Sequence, residues 1–139
     1  AAGSGAMYSS SYLKDSLREY TIEFELDIPR GDQNNSNDRQ DVYGDVIINS
    51  VNGSPANDTV FHETGHESLT RISWKKSYWS KSTKQMNFEM YVNLTDWDAT
   101  LLDKDDTLCH WGKFQVVGPI KNQVIKSNSN CKLRIINFE

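Results

Sequence analysis

Apolar and polar residues alternate with a period of two along much of this chain. Between Arg18 and Ile28 the apolar set is Tyr20, Ile22, Phe24, Leu26 and Ile28, and the polar set is Glu19, Thr21, Glu23, Glu25 and Asp27. That period puts each set on one face of a β-strand. A slip of one residue would expose five large apolar groups, so the register is well determined. The alternation returns at Met86, Phe88, Met90, Val92 and Leu94, set against Asn87, Glu89, Tyr91 and Asn93. Val42–Val51, centred on Val46-Ile47-Ile48, Thr107–Val117 and Cys131–Phe138 read as further strands. Asp58–His62 is short and strand-like, Gly65 is expected to break the next piece, and Ser68–Lys75 resumes the alternation through Thr70, Ile72 and Trp74. Residues 7–17 are weakly patterned and are read as an additional edge strand. Turn residues separate the segments at Pro29-Arg30-Gly31, Asn52-Gly53-Ser54-Pro55 and Gly118-Pro119. Seven or eight short strands and no long helical period predict an all-β, antiparallel sandwich of about eight strands.

Composition narrows this picture. With 139 residues the chain is long enough to bury a core without help from metal or disulfide. The opening Ala1-Ala2-Gly3-Ser4-Gly5-Ala6 reads as a linker, which leaves residues 7–139 as one domain belonging to a larger multidomain chain. A net charge of −4 argues against a nucleic-acid binder driven by bulk electrostatics. No apolar run reaches membrane-spanning length and no signal peptide is visible. A cytoplasmic or peripheral-membrane location is the first expectation, secretion the second. Cys109 and Cys131 make either a cross-strand disulfide or two buried free thiols. The sequons Asn57-Asp58-Thr59 and Asn93-Leu94-Thr95 are acceptors only in a secretory protein.

The densest chemistry lies in Asp96-Trp97-Asp98-Ala99-Thr100-Leu101-Leu102-Asp103-Lys104-Asp105-Asp106, five carboxylates in eleven residues. They follow directly on the Met86–Leu94 strand, so they sit on a loop launched from a rigid element. A second polar loop, Asp32 to Asp41, has no apolar residue until Val42. Crowded carboxylates repel one another unless a cation is present, and Ca2+ takes six to eight oxygens of the kind closely spaced loop aspartates supply.

With both acidic loops placed, the chain resembles a C2 domain, a β-sandwich that binds Ca2+ and phospholipid. The residues that carry the resemblance are Leu26-Asp27-Ile28-Pro29-Arg30-Gly31-Asp32 leading out of one strand and Asp41-Val42-Tyr43-Gly44 leading into the next. They continue with Asp96-Trp97-Asp98, then Asp103 or Asp105-Asp106, then Leu108 and Gly112-Lys113-Phe114. The likeness spans about residues 18–117. It implies a non-catalytic targeting module in which Asp32, Asp41, Asp96, Asp98, Asp103 and Asp105 supply a Ca2+ cup. Filling the cup removes the repulsion of anionic lipid, and Trp97, Leu101 and Leu102 insert at the loop tips. It also implies a headgroup-binding strip at Trp74, Lys75, Lys76, Tyr78, Trp79 and Lys81, where each lysine near an anionic surface is worth about 1 kcal/mol. The other reading of that strip is a solvated lysine face with Trp74 in the core.

Two rival functions remain open: a Ca2+-independent scaffold for a protein partner, and a carbohydrate-binding sandwich using Trp74, Trp79, Trp97 and Trp111. His62-Glu63-Thr64-Gly65-His66 matches the zinc-protease string His-Glu-x-x-His, which works only where a helix brings both histidines to one face. Its neighbours favour strand, so the pair is expected to flank a hairpin turn, and the chain is not read as an enzyme. Cys109-His110 is adjacent in sequence, and adjacent strand residues point to opposite faces, which is poor geometry for a nucleophile and its base.

Overall fold

In the computed structural model, residues 17–28, 40–97 and 106–139 are described. They form β1 (Leu17–Asp27), β2 (Gln40–Val51), β3 (Ser54–Leu69), β4 (Arg71–Lys81), β5 (Asn87–Asp96), β6 (Asp106–Val117), β7 (Ile120–Ser127) and β8 (Lys132–Phe138). Two antiparallel four-stranded sheets result, one ordered β4-β1-β8-β7 and the other β3-β2-β5-β6. The predicted all-β sandwich of about eight strands is the observed architecture. The linker at 1–6 and the edge strand read within residues 7–17 lie outside the described residues, apart from Leu17.

The alternation on β1 and β5 explains the core. Tyr20, Ile22, Phe24, Leu26 and Ile28 are fully buried, as are Phe88, Met90, Val92 and Leu94. They meet Val46 and Ile48 of β2 and Leu133, Ile135 and Phe138 of β8 in one cluster. Phe138 joins the sheets directly, in an edge contact with Phe88 at 4.8 Å and a tilted contact with Tyr20 at 6.4 Å between ring centroids. Fully burying one such side chain contributes about 1.5–3 kcal/mol, so these rows dominate the stability of the sandwich.

The strand boundaries depart from the sequence reading in two places. β3 runs unbroken through Gly65 to Leu69, where a break and a hairpin turn were expected, and the chain reverses only at Thr70. The reason is pairing. β3 is held along its length by β2, and three register shifts, between Val42/Gly44, Val46/Ile47 and Ile48/Ser50, absorb the sixteen residues of β3 against the twelve of β2. Ladder hydrogen bonds outweigh the weak strand preference of one glycine. The second departure is β7, which the sequence reading omits. Its alternation is faint, with Lys121, Asn122 and Gln123 exposed, and it survives as a sheet edge because β8 pairs with it.

Gly44 carries a tight constraint. Its φ of +125° is strained for any residue with a Cβ, and a methyl placed there would run into the backbone carbonyl oxygen of Asn93 on β5.

A disulfide joins Cys109 of β6 to Cys131, just before β8, with the Cα atoms 5.9 Å apart and both residues buried. It settles the alternative left open for the two cysteines and ties one sheet to the other. Asparagines strengthen the same junction. Asn128 donates to the Leu108 carbonyl (3.0 Å) and Asn130 to the Thr107 carbonyl (3.1 Å), while Asn128 Oδ1 accepts from the Asn130 and Cys131 amides. A second polar tie closes the far end of the sandwich. There Asn52 Nδ2 and the Tyr20 hydroxyl donate to the Lys81 carbonyl, and the Ser80 hydroxyl donates to that of Val51.

Two measurements test this account of the fold. Gly44→Ala should cost more than about 4 kcal/mol or prevent folding, because the backbone it strikes cannot move without opening the β2–β5 pair; a urea midpoint close to wild type would contradict the geometry. Reducing the disulfide, which closes a loop with a sequence separation of 22, should lower stability by about 3 kcal/mol in the same assay.

Candidate functional site

The acid-rich segments both attach at one end of the sandwich. β1 ends there at Asp27, β2 begins at Gln40, β5 ends at Asp96 and β6 begins at Asp106. Register pairs Val42 with Asp96, and this brings Asp41 of β2 beside the end of β5. The contact is specific. The Asp41 amide donates to Asp96 Oδ1 at 3.0 Å, and the Trp97 amide donates back to the Asp41 carbonyl at 2.6 Å. These two bonds set the Asp96 carboxylate between β2 and β5. Of the six aspartates in the expected cup, Asp41 and Asp96 are thus brought together. Asp32, Asp98, Asp103 and Asp105 lie outside the described residues, as do Leu101 and Leu102. Among the described residues no three His, Cys, Asp or Glu side chains are grouped to hold a metal.

His66 completes this end of the sheet and was missed as a site residue. Its ring stacks on the Trp97 indole at 4.1 Å with an interplanar angle of 3°, and its Nδ1 lies 3.9 Å from Asp41 Oδ1. Trp97 is therefore held against the sheet at the point where the acidic segment begins. A usable signal was present: His62 and His66 are four apart, so on one continuous strand they share a face.

His62 pairs with Asp45 instead, lower on β2, through its Nδ1. Four residues along a strand span roughly 13 Å at about 3.3 Å per residue, so the His-Glu-x-x-His string lacks the helix that its zinc chemistry requires. Cys109 is consumed by the disulfide, and His110 points outward to the Thr95 hydroxyl at 2.9 Å.

The β4 strip divides between two faces. Trp74, Lys76 and Tyr78 turn toward β3 of the other sheet. There Asp58 accepts from Lys76 Nζ at 2.6 Å and from the Tyr78 hydroxyl at 2.8 Å, and Trp74 Nε1 donates to the Tyr78 oxygen at 3.2 Å. Burial pushes the Asp58 carboxyl upward, but hydrogen bonds from Lys76 and Tyr78 and the lysine's charge outweigh it and hold the group below its ordinary range. Burial, with the bond to Asp58, pushes the Tyr78 phenol well up, so it stays a proton donor. Lys76 is thus engaged in closing the β3–β4 side of the sandwich.

Lys75, Trp79 and Lys81 lie on the outer face, where β1 sets Glu23 opposite Lys75 and Glu19 opposite Trp79. Arg71 on the same face bonds Asp27 at 2.6 Å and approaches Glu25 at 3.7 Å. Carboxylates of β1 therefore interleave with the cations of β4. The four tryptophans form no common platform. Trp74 and Trp111 pack against the core, Trp97 stacks on His66, and Trp79 stands 67% exposed on the outer face of its sheet.

Comparison with known proteins adds no relative: no family model matches the chain, and neither a curated protein nor a solved structure does.

The Asp58 bridge makes a pH-dependent prediction. A carboxylate whose folded-state pKa lies below the ordinary 3.8 contributes stability that is complete above about pH 4 and is lost as pH falls through the folded-state value. Asp58→Asn should cost about 1–2 kcal/mol at pH 7, discounted for the partly exposed Lys76, with the gap to wild type narrowing by pH 3. Urea unfolding at both pH values measures it, and an equal gap at the two would show that the charge contributes nothing.

Proposed function

We propose that this chain is a non-catalytic, C2-like targeting module that binds anionic phospholipid in a Ca2+-dependent manner through its acid-rich end. The observation that carries this reading is the Asp41–Asp96 junction. Two carboxylate residues from different strands are hydrogen-bonded side by side at the place where both acidic segments of the sequence attach. Asp96 would contribute an anchored carboxylate and Asp41 one beside it, and Asp32, Asp98, Asp103 and Asp105 the remaining protein oxygens. When Ca2+ is bound it neutralises this cluster and leaves coordination positions for lipid phosphate. Trp97, 38% exposed and seated on His66, offers an amphipathic ring at the same end. The membrane contact is assigned to this end rather than to β4, because Lys76 is bound to Asp58 and Lys75 faces Glu23.

The disulfide favours an oxidising compartment over the cytoplasm. Extracellular Ca2+ modules work at dissociation constants of about 10⁻⁴–10⁻³ M, and millimolar Ca2+ is the range in which this cup is expected to fill.

A second reading has its own observation. Trp79 and Leu17 lie on the same outer face of β4 and β1 and are 67% and 50% exposed, an apolar spot suited to a protein partner without Ca2+.

Two measurements separate the readings. In millimolar Ca2+ the protein should sediment with phosphatidylserine vesicles and melt several degrees higher than in EDTA, since ligand at one hundred times its Kd adds about 2.7 kcal/mol. Asp96→Asn keeps an oxygen for the Asp41 amide, so it should melt normally in EDTA yet lose both effects, whereas Trp79→Ala should keep them. Vesicle binding that ignores EDTA and Asp96→Asn alike would discard the acidic end.

A further inference from the structure

Three features outside the acidic end invite a function. One is the cleft between β6 and β7, of about 160 Å³, lined by Phe114, Ile120, Ile125 and Lys126, but nothing in the structure selects an occupant for it. Another is the row His62–Asp45–Asn93–His110, set side by side across β3, β2, β5 and β6, where His62 bonds Asp45 and Asn93 and His110 are engaged by Tyr91 and Thr95. The third, Asn57, is carried furthest by independent observations.

Asn57 opens the sequon Asn57-Asp58-Thr59 and sits on β3, the edge strand of its sheet. It lies at a bulge. β2 pairs Ile48 with Asp58 and Ser50 with Pro55, so Ala56 and Asn57 together oppose Asn49. The extra residue takes a φ of +47°, in the left-handed region that asparagine tolerates better than most residues. Asn57 and Thr59 are both exposed, and among the described residues the Asn57 side chain makes no hydrogen bond. The bulge thus turns an uncommitted amide out to solvent.

Two other sequons lie among the described residues and both are unlike it, while Asn34-Asn35-Ser36 lies outside them. Asn52 of Asn52-Gly53-Ser54 is buried, its Nδ2 donating to the Lys81 carbonyl and its Oδ1 accepting from the Asn87 amide. Asn93 is half-buried on the central strand β5, between Asp45 and His110, and its Nδ2 donates to the Tyr91 hydroxyl at 3.1 Å. The second independent observation is the buried disulfide between the sheets, which requires an oxidising folding compartment of the kind in which sequons are modified.

We infer that Asn57 is an N-glycosylation site and that the folded domain carries its glycan on the edge strand β3. In the transfer, Asn57 Nδ2 bonds to the anomeric carbon of an oligosaccharide held on a lipid diphosphate. The bond from that carbon to the diphosphate oxygen breaks, the lipid diphosphate leaves with the electron pair, and the amide gives up one proton to the transferase's base. A glycan there also answers a physical need. β3 is a sixteen-residue edge whose outer backbone groups pair with no described strand, a place where another chain can add, and a bulky hydrated substituent obstructs that approach. This inference is independent of Ca2+ or lipid binding.

The test is secretion of the 139-residue chain from cultured eukaryotic cells behind a cleavable signal peptide. Site occupancy is then read by peptide N-glycosidase treatment in heavy-oxygen water and mass spectrometry. The expected result is a disulfide-bonded protein in which Asn57 becomes heavy-labelled aspartate. Thr59→Ala, which leaves Asn57 and its backbone in place, should abolish that label, whereas Thr95→Ala should leave it. An unmodified Asn57 in secreted, disulfide-bonded protein overturns the inference, and so does a chain retained in reduced form for both the wild type and Thr59→Ala.

Discussion

Burial of the inward rows of β1 and β5, one central strand from each sheet, is the constraint on which the molecule depends. Neither sheet has an apolar alternative. Outward, β1 presents Glu19, Thr21, Glu23, Glu25 and Asp27, and β5 presents Glu89, Tyr91, Asn93 and Thr95. Exposing the buried rows by a one-residue slip would place acidic and amide groups in the core at the same time, so the penalty is counted twice. The flanking strands accept whatever register these two impose, and the bulges in β3 follow from that.

Because the centre is held by apolar packing, the two ends of the sandwich can be committed to polar chemistry. At one end Asn52, Ser80 and Tyr20 use backbone carbonyls to close the structure. At the other end the disulfide and the Asn128–Cys131 turn fix the start of β6, while Asp41, Asp96, His66 and Trp97 fix the end of β5. An acidic segment that departs from β5 and returns to β6 is thus anchored on both sides. For the proposed Ca2+ cup this would matter, since ordering mutually repelling carboxylates would have to be offset by the ion, and less is left to offset when the strands already fix the Asp96 carboxylate beside Asp41.

The charge pattern divides the surface in the same way. On the outer face of the β4-β1-β8-β7 sheet, acidic residues of β1 alternate with Arg71 and Lys75 of β4 and with Lys132 and Arg134 of β8. Such interleaving lowers repulsion across the sheet and leaves little net field there. Lys76 is withdrawn further, into a bridge with Asp58 and Tyr78 that spans the two sheets. The excess negative charge of the sequence is consequently concentrated in the segments that attach at the Asp41–Asp96 end.

Alternation alone determined a great deal: the all-β class, the antiparallel sandwich, the inward rows of β1 and β5, and the placing of the acidic residues at strand ends. These are legible because a period of two is a local property, written in consecutive residues. Register between strands is not local. From the turn at Asn52-Gly53, unbulged pairing of β2 and β3 would set Gln40 opposite Gly65, whereas three bulges set it opposite Leu69. That displacement carries β3 through Gly65 without a turn and brings His66 to Asp41 and Trp97. Nor could local pattern choose between thiols and a disulfide for Cys109 and Cys131, or show that Lys76 is tied to Asp58 of the other sheet. Each of those depends on which strand lies across from which, and that is decided only when the two sheets close on a shared core.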